Sequence, residues 1–168
     1  MVTGAGSGIG RALVERFAAA GLRIVLADVD ETAAREVAAT LDVDTLVRRV
    51  DVSKEQEVVD LAAATVEHFG GVQVVCNNAG VAARTDPWTG PIEAWHWVMG
   101  VNFWGVVHGI RAFLPHLVLG GGGHIVNTAS IAGLFRGSAR PTTPPSTRWW
   151  PSPRRSTSSS RGRASPSG

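Results

Sequence analysis

Short apolar runs alternate with longer amphipathic segments along the first 135 residues of the chain. The runs are rich in β-branched residues, as buried parallel strands are, and the longer segments have apolar residues at helical spacing. This alternation predicts right-handed crossovers and an α/β fold in which a doubly wound parallel sheet has helices on both faces. Strands are predicted at 22–28, 45–52, 72–77 and 124–130, and helices at 8–20, 31–41, 53–69 and roughly 92–119.

The third predicted helix has the clearest end signals. Ser53 is a favourable N-cap, and Gln56 stands three residues later in the capping-box position. Gly70 and Gly71 provide a stop signal. We therefore expect this helix to occupy 53–69.

The composition of the chain changes after residue 135. All 14 acidic residues and nine of the 16 basic residues precede this point, whereas 136–168 contains seven arginines and no acid. Arg, Ser, Pro and Thr make up 26 of these last 33 residues, so the segment has too little apolar surface to offset the entropy of ordering its backbone. We expect one folded domain over 1–135 and a disordered tail over 136–168.

General features of the sequence also bear on location and on metals. Cys76 is the single cysteine, which excludes an internal disulfide and suits a reducing compartment. Neither a signal-peptide pattern nor an apolar run of 18 residues is found, so we expect a cytoplasmic protein without a membrane segment. The histidines at 96, 108, 116 and 124 lack metal-ligand spacing, so no metal site is expected.

Glycines are concentrated in 3–10, which reads Thr-Gly-Ala-Gly-Ser-Gly-Ile-Gly and immediately precedes the first predicted helix. Without side chains the backbone turns tightly and approaches a pyrophosphate closely, while the helix N-terminus presents free N–H groups to it. This pattern predicts a phosphate-binding loop. A helix-entry turn with no ligand is the alternative.

Asp28 lies 18 residues after Gly10, at the end of the second predicted strand. A carboxylate at this position accepts hydrogen bonds from both ribose hydroxyls of an adenosine. The same charge repels a 2′-phosphate, so the sequence favours NAD over NADP as the cofactor. A solvated strand end is the alternative interpretation of Asp28.

These spacings resemble the motifs of the short-chain dehydrogenase/reductase family. The glycine-rich segment is similar to the family's T-G-x-x-x-G-x-G loop, Asp51-Val52 to its adenine contact, and 77–80, Asn-Asn-Ala-Gly, to its N-N-A-G strand end. The resemblance implies a Rossmann-type NAD-binding domain that is incomplete at both ends. It also implies cofactor contacts by Thr3, Gly4, Ser7, Gly8, Ile9, Gly10, Asp28, Asp51, Val52, Asn78, Ala79 and Gly80.

Two further residues resemble members of the family's catalytic tetrad. Asn102, in Val-Asn-Phe-Trp-Gly, is similar to its helix asparagine, and Ser130, in Asn-Thr-Ala-Ser, to its catalytic serine. The resemblance implies that Ser130 hydrogen-bonds the substrate oxygen while a nicotinamide exchanges hydride, and that Asn102 holds a water of the proton relay. The alternative for Ser130 is a hydroxyl that caps a strand end. The alternative for Asn102 is a buried amide that hydrogen-bonds to helix backbone.

The chain departs from the family pattern where the rest of the tetrad is expected. The family's general acid/base is a tyrosine whose pKa is lowered by a lysine four residues later. This sequence contains no tyrosine, and its single lysine is Lys54. The motif is expected about a dozen residues after Ser130, where 141–146 reads Pro-Thr-Thr-Pro-Pro-Ser. In addition, only two residues precede Thr3, so the first strand is shorter than the family's.

A reading-frame slip between Phe135 and Pro141 accounts for the missing motif. If each intended codon joins the last base of one present codon to the first two of the next, Pro141-Thr142 permits Tyr and Pro145-Ser146 permits Lys. In the same frame, Trp149-Trp150 forces valine, because adjacent TGG codons contain GTG. We therefore predict that a frameshift removed a Tyr-x-x-x-Lys motif.

Two functions remain open. The resemblance implies an NAD(H)-dependent oxidoreductase that interconverts a secondary alcohol and a carbonyl, with a small-molecule alcohol or ketone as substrate. The missing Tyr and Lys indicate instead a catalytically inactive NAD-binding fragment, whose homo-oligomer interface is compromised. The arginine-rich tail lacks a folded reader of nucleic acid, so no nucleic-acid partner is expected. For the tryptophans at 88, 95, 97 and 104 we favour packing against a core or subunit over lining a substrate pocket.

Overall fold

The computed structural model describes residues 1–86 and 89–130. The expected tail, the predicted frame slip and Trp88 lie outside the described residues. The elements, in chain order, are β1 (Val2–Thr3), α1 (Gly8–Ala19), β2 (Ile24–Asp28), α2 (Glu31–Ala38), β3 (Thr45–Arg49), α3 (Glu55–Phe69), β4 (Val74–Asn77), α4 (Ile92–Met99), α5 (Gly105–Leu119) and β5 (His124–Asn127).

The five strands form one parallel sheet in the order β3-β2-β1-β4-β5. The chain starts in the centre, runs outward through β2 and β3, and then returns to the other side of β1 for β4 and β5. The direction of winding therefore reverses between β1 and β4. The doubly wound Rossmann-type sheet expected from the sequence is confirmed, and a reversal of this kind is where open α/β sheets bind ligands.

Helices cover both faces of the sheet because the central strands bury both sets of alternating side chains. In β2, Ile24 and Leu26 join the apolar cluster beneath α1 and α2, whereas Val25 and Ala27 join the cluster beneath α3 and α5. Phe113 of α5 is fully buried in the second cluster. This two-sided burial explains why the strand reads as a continuous apolar run.

The structure corrects the expected start of the third helix. The helix begins at Glu55 and its N-cap is Lys54, which makes no side-chain capping hydrogen bond. Ser53 does not take that role because its hydroxyl donates to the Asp51 carboxylate at 2.7 Å, and its backbone N–H donates to the same oxygen at 3.0 Å. Gln56 likewise donates its amide to Asp60 rather than closing a capping box.

The end of α3 agrees with its sequence signal. Gly70 adopts the left-handed conformation, with φ of 76°, and its backbone N–H donates to the Val66 carbonyl. A side chain at this φ is strained, so glycine suits the stop.

The predicted helix over 92–119 contains an irregularity that sequence patterns did not indicate. A five-residue π-helical segment, Gly100–Trp104, joins α4 to α5. Segments of this kind are rare and occur frequently at functional sites. Here the segment contains Asn102, one of the expected catalytic residues.

The first strand is as short as expected, and the chain's amino group lies inside the sheet. The Met1 ammonium donates to the Val74 carbonyl at 2.8 Å, and burial lowers its pKa to about 6. Burial also raises the pKa of the neighbouring Cys76 thiol. Separately, none of the helices in the described part of the chain is long and apolar enough to cross a membrane.

Candidate functional site

A cleft of about 440 Å³ opens at the carboxyl ends of the strands, around the reversal between β1 and β4. It is lined by ten of the twelve residues expected to contact the cofactor. Thr3 and Gly10 are the two others, and both are buried behind the cleft. The ten that line it are Gly4, Ser7, Gly8, Ile9, Asp28, Asp51, Val52, Asn78, Ala79 and Gly80.

The glycine-rich loop packs its backbone where side chains have no room. Gly4 has φ of +65°, and a Cβ placed on Gly10 would lie 1.8 Å from the Gly4 carbonyl oxygen. The loop therefore folds directly onto the first turn of α1. Ser7, the N-cap, makes no side-chain hydrogen bond to that turn, and the turn contains no acidic residue. The exposed N–H groups and positive dipole of α1 remain available to an anion.

Thr3 links the loop to the end of β4. Its hydroxyl accepts hydrogen bonds from the backbone N–H groups of Asn78 at 2.9 Å and Ala79 at 3.0 Å, and donates to the Cys76 carbonyl at 3.4 Å. The Asn78 amide in turn donates to the Thr3 carbonyl at 3.1 Å. These bonds fix the two chain segments on either side of the reversal. Thr3 thus acts behind the cleft, which explains why it does not line it.

Asp28 stands at the rim of the cleft with a fixed carboxylate. Its Oδ2 accepts from the Gly6 backbone N–H at 2.8 Å, and its Oδ1 accepts from the Asp30 N–H at 3.0 Å. A carboxylate offers about four acceptor sites, so both oxygens can take a further hydrogen bond. The arrangement places a negative charge beside the glycine-rich loop.

Asp51 and Val52 are held by α3 and α5 respectively. The Asp51 backbone N–H donates to the Glu57 carboxylate at 2.7 Å, while the Asp51 side chain accepts from Ser53. The Val52 carbonyl lies 2.9 Å from Nδ1 of His108. These contacts fix the part of the cleft wall that Asp51 and Val52 form.

The Asn102 side chain forms two hydrogen bonds with the backbone just beyond β4. Its Oδ1 accepts from the Val81 backbone N–H at 2.8 Å, and its Nδ2 donates to the Val81 carbonyl at 2.9 Å. The side chain is exposed, and its partners belong to a loop. The alternative of a buried asparagine that satisfies helix backbone is therefore wrong.

Ser130 lies three residues beyond the end of β5 and is exposed. Thr128 of the same segment lines the cleft, donates its hydroxyl to Asn78 Oδ1 at 3.0 Å and donates its N–H to the Asn77 carbonyl. The segment that carries Ser130 is thus attached to the end of β4. No metal-binding group of three His, Cys, Asp or Glu side chains exists within 1–86 and 89–130.

Known proteins are similar to this chain in sequence and fold. The family model for short chain dehydrogenase matches residues 1–142. The chain belongs to the short-chain dehydrogenase family. In Xanthobacter autotrophicus, a family member described as 2-(R)-hydroxypropyl-CoM dehydrogenase is 41% identical over 152 residues, covering 85% of this chain and 61% of the relative. The chain spans between half and about three-fifths of the length of the curated relatives it matches.

Solved structures of the family agree with this fold. A short-chain dehydrogenase/reductase from Burkholderia phymatum, in complex with NAD, is 46% identical with a TM-score of 0.77, over 81% of this chain and 50% of that one. An alcohol dehydrogenase from Thermococcus sibiricus, in complex with 5-hydroxy-NADP, is 31% identical with a TM-score of 0.71, over 79% and 57% respectively. The family therefore includes members with both types of dinucleotide.

Sequence reasoning missed part of the cleft wall. Trp97 lines the cleft with 51% of its surface exposed, so it does not pack in the core of this chain. Packing of Trp97 against a subunit stays a prediction. Trp95 and Trp104 are also about half exposed. The spacing of these tryptophans could not predict which of them faces the cleft, because a helix face can meet a cleft as readily as a core. The other lining residues that were missed are Val29, Val50, Val81, Val101 and Thr128.

Proposed function

We propose that this cleft binds NAD(H) and that the protein is an oxidoreductase that interconverts a secondary alcohol and a carbonyl compound. The observation that carries the proposal is the Asp28 carboxylate, fixed at the rim by the Gly6 N–H and adjacent to the phosphate-binding loop. A small-molecule alcohol or ketone as substrate, a cytoplasmic location and a domain over 1–135 are parts of the same proposal.

The residues that line the cleft fit a dinucleotide. Ser7, Gly8 and Ile9, at the start of α1, would bind the pyrophosphate through backbone N–H groups, because a Cβ in the loop would fill the space that the backbone uses. Asp28 would accept from the adenosine ribose, and Asp51 with Val52 would border the adenine. Gly4, Asn78, Ala79 and Gly80 would border the other half of the cofactor, with Thr3 and Gly10 supporting the loop from behind. When bound, the nicotinamide gives or takes the hydride.

The charge of Asp28 supports NAD over NADP. A 2′-phosphate carries close to two negative charges and would lie beside this carboxylate, whereas a free 2′-hydroxyl donates a hydrogen bond to it. The NAD complex of the Burkholderia phymatum relative, at 46% identity, is consistent with this preference. The name of the Xanthobacter relative likewise supports a secondary alcohol as substrate.

Ser130 and Asn102 are proposed to take part in the proton transfer that accompanies hydride transfer. The Ser130 hydroxyl would hydrogen-bond the substrate oxygen and hold it in position for proton transfer. Each polar atom of the Asn102 amide makes one bond to Val81, which leaves one lone pair and one hydrogen for a water molecule. The proposed role of Asn102 is therefore compatible with its fixed orientation.

The residues of the chain as written favour a second function, which is NAD(H) binding without turnover. The sequence contains no tyrosine, and its single lysine, Lys54, stands at the start of α3 and not among the residues that line the cleft. Loss of a positioned general acid/base costs about 10²- to 10⁴-fold in rate. The predicted frame slip would account for this loss.

Two versions of the protein separate these functions. The chain as written and a one-base-corrected chain that carries Tyr-x-x-x-Lys are compared for NADH binding by fluorescence titration and for NAD-linked turnover of secondary alcohols. We expect both to bind NADH and only the corrected chain to turn over, with activity lost again when its tyrosine is replaced by phenylalanine. Rapid turnover by the uncorrected chain would eliminate the second function. Absence of NADH binding by both folded chains would overturn the proposed cofactor.

A further inference from the structure

Two arginines end β3, and one of them lies beside Asp28. Arg49 pairs with Asp28 in the parallel register between β2 and β3, and Arg48 pairs with Ala27. Side chains of directly paired residues project from the same face of a sheet. Two positions earlier, the paired Leu26 and Val47 both pack in the cluster beneath α1 and α2. Arg49 therefore starts on the same face as the Asp28 carboxylate, while Arg48 starts on the opposite face.

The Arg49 guanidinium is directed towards α3 instead of Asp28. Its Nη1 lies 3.6 Å from Oε2 of Glu57, and both side chains are partly exposed. The same Glu57 oxygen accepts the Asp51 backbone N–H at 2.7 Å. Glu57 thus contacts both Arg49 and Asp51, the expected adenine contact.

An arginine at this place is the type of side chain that a 2′-phosphate needs. Guanidinium groups bind phosphate through paired, charge-assisted hydrogen bonds. Arg49 pairs in the sheet register with Asp28, the residue proposed to face the ribose, but its guanidinium forms an ion pair with Glu57. This cation and the carboxylate paired with it stand next to Val50 and Asp51, which line the cleft: Arg49 precedes Val50 in the chain, and Glu57 accepts the Asp51 N–H.

We propose that Glu57 is a specificity-determining residue, which holds Arg49 away from the ribose 2′ position and so makes the cleft favour NAD(H) over NADP(H). This inference rests on the proposed function, because it requires that the cleft binds a dinucleotide. Asp28 repels the 2′-phosphate directly, and Glu57 removes the counter-charge that would compensate for it. Discrimination then depends on two carboxylates, one at the end of β2 and one in α3.

Substitution of Glu57 by glutamine separates this role from a structural one. The glutamine side chain would keep an oxygen that accepts the Asp51 N–H, but would lack the charge that pairs with Arg49. The variants for titration with NADH and NADPH are therefore E57Q, R49Q and the double variant R49Q/E57Q. R48Q serves as the matched control, because Arg48 lies on the opposite face and donates to the Val47 carbonyl.

We expect E57Q to tighten NADPH binding roughly three- to ten-fold, because loss of the Glu57 charge frees the partly exposed Arg49 guanidinium to bind the 2′-phosphate. The NADH Kd should change less than about two-fold, because NADH has no 2′-phosphate. The NADPH gain should disappear when E57Q is made in the R49Q background, and should shrink at high salt. R48Q should leave the ratio of the two dissociation constants unchanged.

Two results overturn the inference. An unchanged ratio of NADPH to NADH Kd in E57Q, or a gain that persists without Arg49, would show that Glu57 does not set specificity, while the proposed function would stand. Failure of every correctly folded variant to bind either dinucleotide would overturn the proposed function and this inference together. Circular dichroism of each variant establishes that it is folded.

Discussion

The carboxylate of Asp28 accepts a hydrogen bond from the backbone N–H of Gly6 at 2.8 Å. This bond joins the end of β2 to the glycine-rich loop, so the Asp28 charge and the loop backbone have one fixed geometry. A Cβ on Gly6 would lie 3.1 Å from the same carboxylate oxygen, which leaves little room for a larger residue. The Asp28 charge, on which the proposed dinucleotide site depends, is thus fixed by the backbone of the chain itself.

Asp28→Asn tests the charge of this contact. Asparagine keeps an oxygen that accepts the Gly6 N–H but loses the negative charge. We expect the NADH Kd to rise about ten-fold, because a charged hydrogen bond to the ribose becomes neutral, and the discrimination against NADPH to fall. Titration of both dinucleotides measures the change. Equal loss of affinity for NADH and NADPH would contradict a role for the charge.

Thr3→Val tests the link between β1 and β4. Valine removes the acceptor for the backbone N–H groups of Asn78 and Ala79, which we expect to cost about 1–3 kcal/mol in the free energy of unfolding. Thr3→Ser keeps the hydroxyl and should cost less. Urea denaturation of the two variants gives the comparison. A smaller loss in the valine variant than in the serine variant would show that the hydroxyl is not the source of the stability.

Gly109→Ala tests the contact between α5 and β4. A Cβ on Gly109 would lie 2.1 Å from Oδ1 of Asn77, a buried side chain at the carboxyl end of β4. We expect this overpacking to lower the free energy of unfolding by roughly 1–3 kcal/mol. In the Asn77→Ala background the methyl group gains space, so the cost of Gly109→Ala should fall. If Gly109→Ala lowers the free energy of unfolding equally in both backgrounds, the strain does not come from contact with Asn77.

The stability of the chain that begins at Met1 should depend on pH through its amino group. Burial lowers the folded pKa of this group to about 6, whereas the unfolded chain titrates near its ordinary value of 8. The neutral amine is favoured by folding, so its contribution is fully present above pH 8 and is lost as the pH falls from 8 to 6. Two pKa units correspond to about 3 kcal/mol.

Urea denaturation between pH 6 and 8 measures this dependence. A chain that is acetylated at its N-terminus is the matched control, because it retains all five histidines but has no α-amino group to titrate. The stability of the free-amine chain should fall more steeply towards pH 6 than that of the acetylated chain. Parallel profiles for the two chains would exclude the amine as the titrating group.

Features that follow from local patterns could be predicted from the sequence. The apolar run that ends at Asp28 and the glycines before α1 gave both the parallel sheet and the position of the loop. Each pattern has its own physical cause, namely two-sided burial of a strand and close approach of backbone to backbone. These causes act within a few residues of the chain.

Features that depend on partners distant in sequence or on competing bonds could not be predicted. The N-cap of α3 moved because Asp51 accepts both donors of Ser53, and propensity alone gives no sign of that competition. The pairing of Arg49 with Glu57, and the position of Trp97 on the cleft wall, likewise depend on how elements pack. The π-helical segment around Asn102 has no local sequence signal.

Thermal or urea unfolding with and without NADH shows most simply whether the cleft around Asp28 and the glycine-rich loop binds NAD(H). At 100 times its Kd, NADH should raise the free energy of unfolding of the unmodified chain by about 2.7 kcal/mol, and the same concentration of NADPH should raise it less. An unfolding transition that neither dinucleotide shifts, at concentrations up to several millimolar, would contradict dinucleotide binding in this cleft.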